Sequence, residues 1–323
     1  MYFLSLLTFY FLKMKLILFS CFLGLAHGSV LVFGGYGGST GEILTSTEQI
    51  LDDGRTCLTN LPALPGGYYG QVASIINSQV LLCGGWNDFG VTNECFLLDL
   101  TVPNPDWHVA PPLNEKRVYA TSIVHDNTVM VLGGYSDAVG QNLDSVEVWD
   151  PTDKSWKYDR RMRLPTKLSR HCIVEHENVL VIIGGEGSDK VFGYINQAWQ
   201  ELIPYPSGPI DSHACLSSPN GIILTGGKTL EQNELKETWI FQDDTWTELG
   251  PLWNPRKSHG MAMLDGLPTV FGGYDFIPYS IKETGMIEQL YSGAWEDTNY
   301  DLTIPRLMFS YATQSVALSC PIE

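Results

Sequence analysis

The sequence predicts an all-β fold in which six four-stranded sheets, or blades, form a closed β-propeller. Six Gly-Gly doublets recur at steps of 50, 49, 51, 42 and 46 residues, at Gly34-Gly35, Gly84-Gly85, Gly133-Gly134, Gly184-Gly185, Gly226-Gly227 and Gly272-Gly273. A tryptophan lies 23 residues after the first glycine in three units, at Trp107, Trp156 and Trp295. A period near fifty residues is too long for helical-hairpin repeats and suits a four-stranded blade.

The third unit illustrates how each blade is built. A buried strand is predicted for residues 129–132, because a short apolar run rich in β-branched residues ends at a glycine doublet. Residues 145–151 alternate, a polar turn follows, and Trp156 lies on the next strand. Together with the hairpin that precedes each doublet, this makes four strands. The tryptophan is interpreted as packing between blades, with a stacking platform for a sugar or base as the alternative.

The first unit lacks an opening strand, and the chain's end supplies one. Residues 311–316 begin Tyr-Ala-Thr, as do residues 119–124 of the third unit. We therefore expect the C-terminal segment to complete blade one beside residues 30–33, which removes the free edges of the sheet. Deletion of the residues after Pro305 is expected to unfold the protein.

Residues 1–28 differ from the rest of the chain. A basic start at Met14-Lys15, an apolar stretch over 16–25 and small residues before position 29 predict a cleavable secretory signal. The functional start is then Met14 or Met1, residues 29–323 form the propeller, and the protein is secreted. An uncleaved membrane anchor is the alternative.

The charge of the chain is strongly acidic, with 36 Asp and Glu against 19 Lys and Arg. Such a balance opposes binding to phosphate backbones and to anionic lipid surfaces, so nucleic acid is not expected as a partner. Solubility by itself is the simpler explanation of the charge.

Secretion would favour disulfides among the six cysteines outside the signal. Cys83 and Cys95 align with positions on adjacent antiparallel strands, which makes them the preferred pair. Cys57 falls on an outer strand and Cys320 beyond an inner one, roughly 14 Å apart at about 4.8 Å per strand spacing, so their direct pairing is doubtful.

The order of apolar strand, Gly-Gly, aromatic residue, alternating strand and tryptophan resembles the kelch repeat. The resemblance covers residues 29–319 and is almost complete in the third unit. It departs in the fourth and fifth units, where Glu186 and Lys228 replace the aromatic residue after the doublet, and in the first, where Cys57 replaces the tryptophan.

The kelch resemblance implies a binding site where loops converge on one mouth of the central channel. In kelch propellers that bind peptides, the residues after the doublets and the arginines before the inner strands contact an acidic ligand. The matching ligand positions here are Tyr36, Trp86, Tyr135, Tyr274, Arg117 and Arg256, with Arg170 and Arg306 in looser register. The alternative is that these residues serve the turns of their own blades.

Three histidines lie thirteen residues before their doublets, at His171, His213 and His259. Three imidazoles in one channel could hold a transition metal, but histidine is ordinary there in kelch repeats, and no metal or cofactor is expected. No adjacent Tyr-His pair and no His-Glu-x-x-His site occurs.

The prediction is therefore a secreted, non-enzymatic propeller that binds a protein or peptide, with an acidic segment as the expected ligand. The alternative is a carbohydrate-active exported enzyme similar to bacterial sialic-acid mutarotases. Its candidate polar residues are Glu186, Arg117 and Arg256.

Overall fold

The computed structural model describes residues 28–37, 41–231, 233–277, 280–314 and 318. These residues form only strands and loops, and six four-stranded antiparallel sheets are arranged as the predicted propeller. From the inner strand outward, blade one contains Ser310–Gln314, Ser29–Phe33, Thr47–Leu51 and Thr56–Leu58. Blade two contains Val72–Ile76, Gln79–Cys83, Cys95–Asp99 and Trp107–Ala110. Blade three contains Thr121–His125, Thr128–Leu132, Val146–Asp150 and Ser155–Tyr158. Blade four contains Cys172–His176, Val179–Ile183, Val191–Ile195 and Ala198–Glu201. Blade five contains Ala214–Ser218, Gly221–Thr225, Thr238–Gln242 and Thr245–Leu249. Blade six contains Gly260–Leu264, Leu267–Phe271, Met286–Tyr291 and Ala294–Asp301.

Short two-stranded ribbons follow the doublets on one face, which we call the mouth face. They pair Tyr36–Gly37 with Glu42–Ile43, Trp86–Asn87 with Gly90–Val91, Tyr135–Ser136 with Gln141–Asn142, and Tyr274–Ile277 with Ser280–Glu283. In blade five, Lys228–Thr229 pairs instead with Ile210–Asp211.

The C-terminal strand closes the ring as predicted. Ser310–Gln314 pairs antiparallel with Ser29–Phe33, with Ala312 opposite Leu31. The register differs by three residues from the likeness between 311–316 and 119–124, because Ser310 takes the place that Thr121 has in blade three, and Met308 takes that of Tyr119. Residues 315–317 and most of the predicted leader, 1–27, lie outside the described residues. Among the described residues, no apolar helix of membrane-spanning length occurs.

Each glycine doublet holds two neighbouring blades together. Both glycines have positive φ, as at Gly133 (60°) and Gly134 (95°). The N–H of Gly134 donates to the Leu168 carbonyl of the next blade at 2.9 Å, and the other five doublets make the equivalent bond. A Cβ on Gly133 would lie 2.5 Å from that same carbonyl. Only glycine therefore combines this backbone conformation with so close an approach.

The outer tryptophans pack between blades, as interpreted from the sequence. Trp156 packs in a core cluster with Val72 and Leu81 of blade two. Its indole N–H donates to the Pro111 carbonyl, which precedes its own blade, at 3.1 Å. The same kind of bond joins Trp107 to the chain that enters its own blade.

The structure contains the expected Cys83–Cys95 disulfide between adjacent strands of blade two. A second disulfide, Cys172–Cys215, joins the inner strands of blades four and five. Both are compatible with an extracellular protein. Cys57 is also disulfide-bonded, and Cys320 lies outside the described residues.

Candidate binding site at the aromatic mouth

A closed ring of backbone hydrogen bonds surrounds the channel axis at the mouth. Six residues, one at the entry to each inner strand, have φ between 53° and 64°. Each N–H donates to the carbonyl of the preceding member, at 2.7–3.3 Å. We call this the neck ring, and it consists of Gly70, Tyr119, Arg170, Ser212, Ser258 and Met308.

Five of the six neck residues are not glycine, although the left-handed region is unfavourable for other residues. Such backbone strain persists only where surrounding structure imposes it, and it concentrates at functional sites. The cyclic hydrogen bonds provide that constraint here. They place the side chains of Tyr119, Arg170 and Met308 around the opening, where the Tyr119 hydroxyl contacts the Met308 sulfur at 3.6 Å.

An aromatic cluster centred on Tyr69 covers one half of the mouth. Trp86 stacks on Tyr69, with ring centroids 6.3 Å apart and 13° between planes. Tyr36 and Tyr119 lie 6.2 and 6.5 Å from Tyr69. Burial, with a contribution from Tyr119, raises the pKa of Tyr69 to about 12, so its phenol is neutral at physiological pH.

Two cavities open among these rings. The first, about 290 Å³, is lined by Tyr36, Tyr69, Tyr119, Tyr274, Leu307 and Met308. The second, about 280 Å³, is lined by Tyr69, Trp86, Val118, Tyr119, Tyr135, Arg170 and Glu186. Each is large enough for a side chain of a partner, and the shared wall is formed by Tyr69 and Tyr119.

Arg170 is the cation that contacts the aromatic cluster. Its guanidinium carbon lies 4.0 Å from the centre of the Tyr119 ring, which is cation–π geometry. Its nearest carboxylate oxygen, on Glu186, is 3.6 Å away. The side chain is 25% exposed, so Arg170 is accessible from the mouth.

The opposite half of the mouth carries paired charges. Lys257 lies 2.5 Å from Glu234 and 4.8 Å from the centre of the Tyr274 ring. Lys228 lies 3.7 Å from Asp211. The charges on this half are thus close to balanced, while the Tyr69 half is mainly aromatic.

The structure places four of the six predicted ligand residues at the mouth. Tyr36, Trp86, Tyr135 and Tyr274 line the two cavities. Sequence reasoning missed Tyr69 and Tyr119. Their only sequence signal is the position 15 or 14 residues before a doublet, where the other blades carry no aromatic residue.

Arg117 and Arg256 do not lie on the mouth surface, contrary to expectation. They are 1% and 0% exposed. Arg117 donates to the Gly133 carbonyl at 2.6 Å and pairs with Glu147 at 2.7 Å. Arg256 contacts the Gly272 carbonyl and Glu288 in the same way. Both guanidinium groups are enclosed by their own blade because a carboxylate of the third strand faces them.

The buried Arg–Glu pair is a repeated brace. Arg306 donates to the Gly34 carbonyl at 3.0 Å and pairs with Glu48 at 3.3 Å in blade one. Burial raises the pKa of Glu48 and of Glu288, although the facing arginine opposes that shift. The braces therefore belong to the scaffold.

The three histidines line a central channel cavity of about 280 Å³ below the neck ring. His171 and His259 hydrogen-bond through Nε2 to Thr121 and Thr225 of the neighbouring blade, at 2.8 and 2.9 Å. Burial lowers the pKa of His171 to about 3 and that of His213 to about 4, so both are neutral. Within the described ranges, no three His, Cys, Asp or Glu side chains are grouped as metal ligands.

Comparisons with known proteins agree with the architecture. A family model described as the Kelch motif matches residues 116–163. Kelch-like protein 41b of Danio rerio is 24% identical over 203 residues, covering 60% of this chain and 33% of that protein. Kelch-like protein 23 of Homo sapiens is 27% identical over 180 residues, covering 53% of this chain and 31% of that protein. The chain thus spans about a third of the length of these curated relatives.

A solved structure titled "Structure of YjhT" superimposes with a TM-score of 0.66 at 15% identity. It covers 83% of this chain and 97% of the other. The fold and its mouth define a six-bladed β-propeller. With the motif match and the Kelch-like relatives, the chain is a kelch-repeat β-propeller.

Proposed function

We propose that the chain is a secreted, non-enzymatic propeller that binds a segment of a protein partner at its aromatic mouth. The observation that carries the proposal is the cluster around Tyr69, which opens into two cavities. Tyrosine, tryptophan and arginine dominate the energetics of protein interfaces. Kelch propellers commonly bind proteins, which supports the same conclusion.

The ribbons of the mouth face add exposed apolar side chains above the cluster. Phe89 is 97% exposed at the tip of the blade-two ribbon. Val139 and Leu230, in the corresponding segments of blades three and five, are 55% and 62% exposed. Apolar side chains raised around a mouth would increase the area that a partner can cover. We also propose that the bound segment of the partner is acidic. The cations that contact it cannot be Arg117 and Arg256, because both side chains are buried.

The proposal is tested by selecting binders from a random peptide display library on the whole folded protein. Binding of the selected peptides is then measured to a mouth variant that carries both Tyr69→Ala and Trp86→Ala, and to the single variant Tyr291→Ala. Tyr291 is 57% exposed on blade six and serves as the control. We expect the selected peptides to bind the mouth variant at least about tenfold more weakly than the wild type, because two aromatic anchor residues are lost. Peptides that bind both variants equally would refute the mouth as the site.

A carbohydrate-active enzyme is the second candidate, favoured by the channel cavity. Both polar atoms of the Gln71 side chain, Nδ1 of His171 and of His259, and the Ser310 hydroxyl have no hydrogen-bond partner among the described residues. Buried polar groups in this state favour a polar occupant. The residues suggested by the sequence do not meet, since Glu186 lies at the mouth and the arginines are buried. Saturable binding of a small sugar acid that is lost in Gln71→Leu would support this candidate.

A further inference from the structure

A short basic segment crosses the mouth face between blades three and four. Residues 160–170 contain five of the nineteen Lys and Arg of the chain and no Asp or Glu. The whole chain has a net charge of −17. A local reversal of sign on so acidic a protein marks a surface that attracts anionic groups. We call its exposed bases the basic track, and they are Arg160, Arg161, Arg163 and Lys167.

The track leads from the outer edge of the propeller to the aromatic mouth. The segment begins after the outer strand of blade three and reaches the neck ring at Arg170. It runs beside the blade-three ribbon, where Leu164 and Leu168 donate backbone bonds to residues 144 and 143 at 2.9 and 3.0 Å. Both leucines are buried, at 3% and 1% exposure. Their anchoring leaves the intervening basic side chains outside.

The track bases are available to a partner, unlike the arginines of the braces. Arg161 is 81% exposed and lies 3.6 Å from Asp159. Arg163 is 66% exposed and lies 2.8 Å from Asp144. Lys167 contacts the side-chain oxygen of Gln141 at 2.7 Å. Exposed ion pairs of this kind contribute little to stability, so carboxylates of a partner can compete for these groups.

We propose that the basic track binds an acidic, extended segment of the protein partner, which continues into the aromatic mouth. The proposal rests on the proposed function. Arginine forks match carboxylates in a bidentate manner, and the anionic part of the partner lies over the track. An apolar or aromatic side chain of the same segment enters the cavity beside Tyr69 and Trp86. A sulfated polysaccharide would satisfy the track but offers no such side chain for the cavity.

The test uses the mouth-dependent peptides obtained from the display library on the whole protein. Each is resynthesised with every Asp and Glu replaced by Asn and Gln. Binding of these peptides is measured to two double variants of the protein. The track variant carries Arg161→Glu and Lys167→Glu, and the control variant carries Arg55→Glu and Lys154→Glu. The second pair changes the net charge equally, and both of its residues lie in turns between the third and outer strands. Thermal unfolding of each variant checks that the fold is kept.

We expect the selected peptides to be acidic and to bind the track variant at least about tenfold more weakly. The control variant should bind the same peptides with an affinity within about twofold of that of the wild type. The neutralised peptides should bind more weakly than the acidic ones. Their affinity should also no longer depend on the salt concentration, because salt screens the attraction between exposed charges.

The possible failures are distinguishable. Peptides that need Tyr69 and Trp86 but are neutral or basic, or that ignore the track reversal, would overturn the inference and keep the proposed function. An absence of peptides that depend on Tyr69 and Trp86 would remove both. Binding of heparin to the track that is unaffected by Tyr69→Ala, with no acidic peptides recovered, would identify a polysaccharide surface and overturn the inference.

Discussion

Blades one, three and six differ from blades two, four and five at one interior position. In the first group, a buried arginine at the entry to the inner strand faces a glutamate on the third strand. In the second group, the residues at the two equivalent positions are Tyr68 and Phe96, Leu168 and Phe192, and Ile210 and Trp239. Tyr68 and Phe96 have ring centroids 5.7 Å apart.

The two groups show that one location in the fold accepts either an ion pair or an apolar pair. The backbone is the same in both, since the carbonyl at this position accepts the bond from the preceding doublet in all six blades. The arginine is therefore not required by the backbone. It is retained only where a glutamate can neutralise it, because an unpaired buried charge is strongly unfavourable.

Removing one partner of an ionic pair should have the largest effect. Glu288→Leu leaves the guanidinium of Arg256 buried beside blade six without its carboxylate. We expect the free energy of unfolding to fall by about 3–5 kcal/mol, measured by chemical denaturation. The control is Glu201→Gln, which breaks the exposed pair with Lys190 and should change little. A small effect of Glu288→Leu would mean that the brace is dispensable.

Removing both partners tests whether the ionic blades can be converted to apolar ones. Arg117→Leu together with Glu147→Leu should destabilise blade three less than the sum of the single changes, with a coupling of about 2 kcal/mol. Some loss should persist, because Glu147 also accepts the Asn114 and Glu115 backbone N–H groups. Strictly additive losses in the double-mutant cycle would show that the two side chains act independently.

The blades also differ at the inner-strand position thirteen residues before each doublet, where blades four to six carry histidine. The folded-state pKa of His213, about 4, lies below the ordinary 6.5 because the ring is buried. Between these values the unfolded chain binds more protons, so stability falls as the pH falls. The slope is roughly 1.4 kcal/mol per pH unit for each such histidine.

His213→Gln should therefore flatten the decline in stability between pH 6.5 and 4, measured from denaturant midpoints at several pH values. His108→Gln, which alters an exposed histidine, is the control and should leave the slope unchanged. An identical slope in the wild type and in His213→Gln would contradict the buried, neutral state of this ring.

Local sequence signals predicted most of the scaffold. The blade count, the closing strand beside Ser29–Phe33 and the Cys83–Cys95 disulfide are confirmed. Each depends on spacing within one unit or on likeness between two units. The Cys172–Cys215 disulfide was not predicted, because it joins strands of different blades at unequal distances from their doublets.

The site was only partly predictable. The residues after the doublets lie at the mouth as expected, since their position follows from the repeat. The expectation for Arg117 and Arg256 was wrong, because charged residues are usually exposed and only the strand order places a glutamate opposite each of them. Tyr69 and Tyr119 belong to no regular pattern, and they meet only because two blades converge on the axis.

The sequence by itself determined the six blades, since only glycine allows both the positive φ and the close approach of the next blade at each doublet. The tertiary structure decided which polar residues stay accessible and how the mouth is formed. The neck ring is the clearest case, because each of its hydrogen bonds joins two blades. Contacts between blades depend on how neighbouring sheets meet, and no spacing within a single repeat specifies that.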